Sequence, residues 1–181
     1  MKQAVILAGG KGSRLKSISG DLPKSMVPIF GIPLLRYIIE QCVFHRILDI
    51  KLLVSYKNEV IENYFGDGHQ FGVSIQYIVE DIPRGTAGAI IDALPELDEQ
   101  FLVVYGDTFF DIDLGAFWRF HQGQSGDASI FLHPNDHPYD SDLVEVDSDL
   151  QVQKIHPYPH DAQWRQNLVN AAIYMFNKDA L

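Results

Sequence analysis

Four short apolar runs divide the chain: "QAVILA" (3–8), "DIKLLVSY" (49–56), "VSIQYIV" (73–79) and "FLVVYG" (101–106). Between them lie segments with helical spacing. Leu34, Leu35, Ile38, Ile39, Cys42 and Val43 recur at three- and four-residue steps after Pro33, and proline suits a first helical position, where its missing N–H has no partner. "NEVIENYF" (58–65), with Asn58 as N-cap, "GTAGAIIDAL" (85–94) and "LGAFWRFHQG" (114–123) complete the helical set. Alternation of this kind predicts an α/β fold of parallel strands with helices on both faces. Beyond 123 the texture turns to strands at 128–132, 143–146, 151–155 and 168–176, which predicts a small antiparallel part. The proline-rich stretches "HPNDHPYDSD" and "HPYPHDAQW" read as long loops, and loops of that length usually serve function.

With 181 residues the chain suits one core, so a single domain over 1–181 is expected. "NKDAL" (177–181) looks like a helix start, so a cut at the C-terminus is expected too. No apolar run nears the roughly 18 residues of a membrane helix, and the start lacks the pattern of a signal peptide. One cysteine, Cys42, allows no internal disulfide. A cytoplasmic home and no membrane partner are expected. A net charge of −10 sets nucleic-acid polymers aside, because phosphate neutralisation drives their binding. A single nucleotide needs only a few local cations.

The first strand ends in "LAGGKGSRL" (7–15), a glycine-rich cationic loop. A Walker A loop fails, because the required first glycine falls on Val5 and Lys11 precedes Gly12. A dinucleotide fingerprint fails, because its third glycine position holds Leu15. What remains is G-G-x-G-x-R followed by a second cationic segment, "LPKSMVPI" (22–29) with Lys24. Glycines let backbone N–H groups approach phosphate oxygens. Arg14 can grip two oxygens as a fork, Lys24 acts as a point charge, and Pro23 stiffens the backbone before it. The bland alternative is a strand-end turn with surface cations.

"LAGGKGSRL" with "PKSMVPI" resembles the signature of sugar-1-phosphate nucleotidylyltransferases. "EDIPRGTAGAI" (80–90) resembles that family's base-contacting segment, and "YGDTFFDID" (105–113) its metal-binding segment. The resemblance implies the nucleotide-diphospho-sugar transferase fold, a Rossmann-like α/β architecture with a mixed, mostly parallel sheet and helices on both faces. It also implies attack by a sugar phosphate oxygen on the α-phosphorus of an NTP, with release of pyrophosphate. Charge neutralisation and positioning carry such a reaction, and an ionised phosphate needs no general base.

By resemblance, Leu7, Ala8, Gly9 and Gly10 hold the nucleotide, and Gly12, Ser13 and Arg14 wrap its outer phosphates. Lys24 offsets charge at the α-phosphate, and Arg14, Lys24 and Asp107 form the catalytic set. Glu80, Gly85, Thr86 and Gly88 lie by the base and ribose. Asp107 binds Mg²⁺; its plain alternative is a cap or turn aspartate. The family's second metal carboxylate comes from beyond position 181, so weak metal–nucleotide binding and slow turnover are expected of this chain. Ser25 replaces a usual proline and is expected to loosen its loop, and Arg84 replaces leucine, adding a cation near the nucleotide. Lys154, His156 or His160 stands in for an absent Glu-Lys-Pro motif, and Asn170 in "VNAAIYMF" contacts a sugar hydroxyl.

"HPNDHPYDSDLVEVD" (133–147) resembles the branch acting on D-glycero-D-manno-heptose 1-phosphate with GTP, for surface polysaccharide precursors. Asp140, Ser141 and Asp142 offer acceptors for sugar hydroxyls there. A hexose 1-phosphate such as mannose or glucose 1-phosphate is the alternative substrate, and a catalytically weak nucleotide-sugar binder the alternative role. A haloacid-dehalogenase-type phosphatase would use "DIDLG" (111–115), which lacks that motif's last residue. His133/His137 and His156/His160 have zinc-like spacing, but the prolines among them preclude a shared helix face, so loop histidines near the sugar are expected.

Overall fold

The structure is a computed structural model that describes residues 2–10, 20–80, 84–136, 138–161 and 165–181, with Asp140 described by its backbone alone. The chain forms two compact units: Met1–Ser129 with Tyr174–Leu181, and Ile130–Ile173.

The first unit is built on parallel strands. β1 (Gln3–Leu7), β4 (Asp49–Val54), β5 (Ser74–Val79) and β6 (Gln100–Tyr105) lie in the order β5-β4-β1-β6. β1 pairs in parallel with both β4 and β6, Val5 standing beside Lys51 and Val103. The chain therefore steps outward from β1 to β5, then returns to the other side of β1. β2 (Pro28–Ile29) and β3 (Ile32–Pro33) form a separate antiparallel hairpin, closed by Phe30 and Gly31 at positive φ. The helices are α1 (Leu34–Phe44), α2 (Asn58–Phe65), α3 (Gly85–Ala93) and α4 (Leu114–Gly123).

Both faces of this sheet are buried, as parallel strands require. On one face Val5, Leu53 and Val103 pack with Ala89, Ile90 and Ala93 of α3. On the other, Ala4, Ile6, Leu52, Leu102 and Val104 are fully buried. α1 buries Leu34, Leu35, Ile38, Ile39 and Cys42, the stripe that its spacing predicts. Pro33 precedes the helix in β3 rather than opening it. α2 departs from expectation at its start. Lys57, in the left-handed region (φ 51), is the N-cap, and the Asn58 amide bonds Glu62 instead of capping. α4 begins as an N-cap should, with Asp113 Oδ1 accepting the Ala116 N–H at 2.9 Å. At the C-terminus only one 3₁₀ turn, Lys178–Ala180, forms, and Asn177 does not cap it.

The second unit holds β8 (Leu143–Val146) and β9 (Val152–His156), antiparallel with an irregularity at Glu145/Val146. Leu143 of β8 also pairs with Val169 at the start of β10 (Val169–Asn177). β7 (Ala128–His133) pairs with β10 as well. Among the described residues, no helix is long and apolar enough to cross a membrane.

Candidate active site

In an open parallel sheet, ligands bind beyond the carboxyl ends of the strands, where the strand order reverses. Here that point lies between β1 and β6. The Gly9-Gly10 loop leaves β1 there, and Gly106-Asp107 leaves β6. The two ends are drawn together by backbone: the Gly106 N–H donates to Leu7 O at 2.9 Å. A Cβ on Gly106 would stand 3.0 Å from Leu7 O and 3.3 Å from the Ala8 backbone, so the close approach favours glycine.

A cleft of about 260 Å³ opens at this point. Of the expected residues, Leu7, Ala8, Gly9, Gly10, Lys24, Glu80, Gly85, Thr86 and Asp107 line it. Gly12, Ser13 and Arg14 lie outside the described residues. Gly88 does not line the cleft. It is buried on α3, where a Cβ would meet Arg84 Cβ at 2.4 Å. The Arg84 guanidinium pairs with Asp92 of the same helix, so the cation expected near a nucleotide is engaged elsewhere.

Lys24 belongs to a one-turn 3₁₀ helix, Lys24–Met26. The turn is docked on the glycine loop by Lys24 N–H to Gly10 O, 3.3 Å, and closed by Met26 N–H to Pro23 O, 2.9 Å. Ser25 is 2% exposed inside it and lines the cleft. Lys24 Nζ forms an ion pair with Asp107 Oδ2, the side chains being 39% and 25% exposed. The ammonium offers anion affinity and the carboxylate cation affinity at one spot.

Strand order fixes the layout. Glu80 follows β5 and Asp107 follows β6, three strand spacings away, or about 14 Å across the sheet edge. The Gly9-Gly10 loop lies between them, with Glu80 Oε2 3.6 Å from where a Gly9 Cβ would be. Glu80 Oε1 is buried and has no hydrogen-bond partner among the described residues. The start of α3 forms the wall beside it. Gly85, at φ 74, takes the chain into the helix, and Thr86 Oγ1 accepts from the Tyr105 hydroxyl at 3.2 Å. The sequence reading missed Tyr105 and Ser25 as cleft residues. The position of Tyr105, last in its strand before Gly-Asp, is the one signal that could have marked it.

Asp111 of the phosphatase alternative is exposed and does not line the cleft, and Asp113 is spent on capping α4. The Ala116 N–H holds the Asp113 carboxyl below its ordinary value.

The sugar-site candidates belong to the second unit. The Ser141 hydroxyl accepts from Asn135 Nδ2 at 2.9 Å, and Asp142 Oδ1 accepts from the Tyr158 N–H at 2.7 Å. Lys154 is exposed on β9. Asn170 Oδ1 accepts from the N–H of Ala172, which sits at φ 59 in β10. That backbone is one glycine adopts without strain. The side chain of Asp140 and all of His137 lie outside the described residues. His160 Nε2 lies 3.1 and 3.2 Å from Pro138 O and Ser141 O, so the ring ties down the 138–141 loop. His133 Nδ1 contacts Pro134 O. His156 Nε2 lies 2.9 Å from Glu145 Oε1, at pairing distance without hydrogen-bond alignment. No cluster of three or more His, Cys, Asp or Glu side chains suited to a metal occurs among the described residues.

The mostly parallel sheet, with an ion-paired cleft at its switch point, has the nucleotide-diphospho-sugar transferase fold. Comparison with known proteins agrees. Residues 3–181 match the family model described as "Nucleotidyl transferase", and the chain belongs to that family. It is 38% identical over 177 residues to D-glycero-alpha-D-manno-heptose 1-phosphate guanylyltransferase of Campylobacter jejuni, covering 98% of this chain and 76% of that protein. It is 34% identical over 178 residues to the enzyme of the same name from Aneurinibacillus thermoaerophilus, covering 97% and 75%. The crystal structure of HddC from Yersinia pseudotuberculosis complexed with GMP-PN superimposes with a TM-score of 0.81 at 32% identity, covering 99% of this chain and 78% of that one. Sugar-1-phosphate nucleotidyl transfer is the activity that this membership supports.

Proposed function

We propose that the chain transfers GMP from GTP to D-glycero-α-D-manno-heptose 1-phosphate, giving GDP-heptose and pyrophosphate in the cytoplasm for surface polysaccharide synthesis. The observation that carries the base is Glu80. An ionised carboxylate only accepts hydrogen bonds. Guanine presents two adjacent donors, N1–H and N2–H₂, on its Watson–Crick edge, whereas uracil and thymine present one N–H flanked by carbonyls. The buried Glu80 Oε1, without a hydrogen-bond partner among the described residues, therefore suits guanine. The sugar rests on the names of the two relatives that share 38% and 34% of their aligned residues with this chain.

In this reading the glycine loop and Lys24 hold the phosphates on the β6 side of the cleft, with Arg14, Gly12 and Ser13 gripping the outer ones. An oxygen of the sugar phosphate attacks the α-phosphorus. A new P–O bond forms, the α–β bridging bond breaks, and its electron pair leaves with pyrophosphate. Lys24 offsets the charge that builds on the α-phosphate oxygens. Asp107 fits a magnesium ligand, because it is a cleft carboxylate already held against a cation, and Mg²⁺ takes one or two carboxylates with phosphate oxygens and water. When bound, the ion neutralises triphosphate charge. Ser141, Asp142, Lys154 and Asn170, with Asp140, remain the candidates for sugar contact.

The test is a panel of heptose, mannose and glucose 1-phosphates crossed with GTP, ATP, UTP and dTTP, scored by pyrophosphate release. The heptose–GTP pair gives the highest kcat/KM. A higher value with UTP or dTTP refutes the base, and one with mannose or glucose 1-phosphate refutes the sugar.

A further inference from the structure

Ser25 joins two properties that rarely coincide. It is 2% exposed, yet it lines the cleft, and its Oγ has no hydrogen-bond partner among the described residues. Buried hydroxyls are nearly always bonded, because an unpaired one loses its hydration without return. The hydroxyl is also held in place. Pro23 precedes the turn, Met26 behind it is 5% exposed, and backbone bonds tie Lys24 to Gly10, Met26 to Pro23 and Val27 to Lys24.

The surroundings select the missing partner. Gly10, bonded to this turn, opens the glycine loop, and the adjacent Lys24 supplies a cation. Asp107, which lines the same cleft, is engaged with Lys24. An anionic oxygen that suits both the ammonium and a neutral O–H donor is a phosphate oxygen. The base end of the cleft, with Glu80, belongs to the β5 side. We infer that Ser25 is a further phosphate-binding residue, its Oγ–H donating to a phosphate oxygen of the bound nucleotide beside Lys24. This rests on the nucleotide reading of the cleft given above.

The hydroxyl is thus unsatisfied until the nucleotide arrives, which gives its removal a signature that a packing residue lacks. Titration calorimetry with GTP and with guanosine, on the wild-type chain and on Ser25→Ala, reads it. The variant binds GTP about tenfold more weakly, as expected for a lost hydrogen bond to a charged group. It binds guanosine within twofold of wild type, and its ligand-free melting temperature is equal or higher. Ser25→Cys, nearly isosteric with a poor donor, gives the same GTP loss and serves if the alanine variant does not fold. Unchanged GTP affinity in a folded variant overturns the inference and leaves the nucleotide reading intact. Equal weakening of GTP and guanosine overturns the phosphate assignment. A wild-type chain that binds no GTP removes both readings together.

Discussion

Lys24 and Asp107 are ion-paired across the mouth of the cleft, one from a 3₁₀ turn after the glycine loop and the other from the end of β6. The pair is partly exposed, and such pairs contribute about 0–1 kcal/mol to stability. Its stronger effect is expected on chemistry. Lys24→Met and Asp107→Asn each lower kcat/KM for pyrophosphate release by about 10²–10³-fold, the usual cost of losing one charge-stabilising group. Their melting temperatures stay close to wild type. A loss of activity matched by a loss of folded protein would assign the pair to structure instead.

Glu80 is the test of base choice. Glu80→Gln turns one acceptor oxygen into a donor amide, which opposes the guanine N–H groups. The ratio of kcat/KM for GTP to that for UTP is expected to fall by about 10–100-fold, in the range of discrimination seen for one good pair of base-edge contacts. An unchanged ratio refutes guanine reading by this residue.

Gly106 is a prediction about geometry. Its Cβ would lie 3.0 Å from Leu7 O, so Gly106→Ala is expected to shift the ends of β1 and β6 slightly against each other. Overpacking at such a site costs about 1–3 kcal/mol. Asp107 moves with the strand end, so activity drops further than stability. Thermal melting and pyrophosphate release, measured together on the variant, check this.

Burial raises the Cys42 thiol from 9.0 to about 12. The neutral thiol is thus favoured in the fold. Its stabilising effect is complete below pH 9.0 and is lost as pH rises from there towards about 12. Tyr77, raised from 10.0 to about 12 mainly by burial, acts in the same direction over a narrower window. Cys42→Ala is expected to flatten the fall in melting temperature between roughly pH 9 and pH 10, below the window of Tyr77. The native thiol also resists thiol-specific reagents until the chain unfolds. Rapid labelling of the folded chain would contradict its burial.

The alternation of apolar runs and helical spacing carried most of the first unit. β1, β4, β5 and β6 and the four helices fall within two residues of the expected spans, because burial on both faces leaves an unbroken apolar signature. The β2–β3 hairpin was not legible. Its strands have two residues each, and Pro28 and Pro33 mask the usual pattern. The start of α2 misled for a local reason. Lys57 adopts the left-handed conformation, and Asn58 finds Glu62 one turn on. In the cleft, Gly9, Gly10, Lys24 and Asp107 were readable because their chemistry shows in residue type and spacing. Ser25 and Tyr105 were not, since a serine in a short turn and a tyrosine at a strand end become cleft residues only through long-range packing. The histidines of the second unit had suggestive spacing, but His133 and His160 contact backbone carbonyls and His156 faces Glu145, so the described ones do not converge.

The strand order has an evolutionary consequence. Glu80 and Asp107 are carried by segments that follow different strands, with β4 and β1 between them. On the proposed reading, a lineage can remodel the turn after β5 and acquire a new preference for pyrimidine or purine while the reacting phosphates keep their old cradle. Diversity of donors and constancy of chemistry are separable in this architecture because they are inherited on separate stretches of chain.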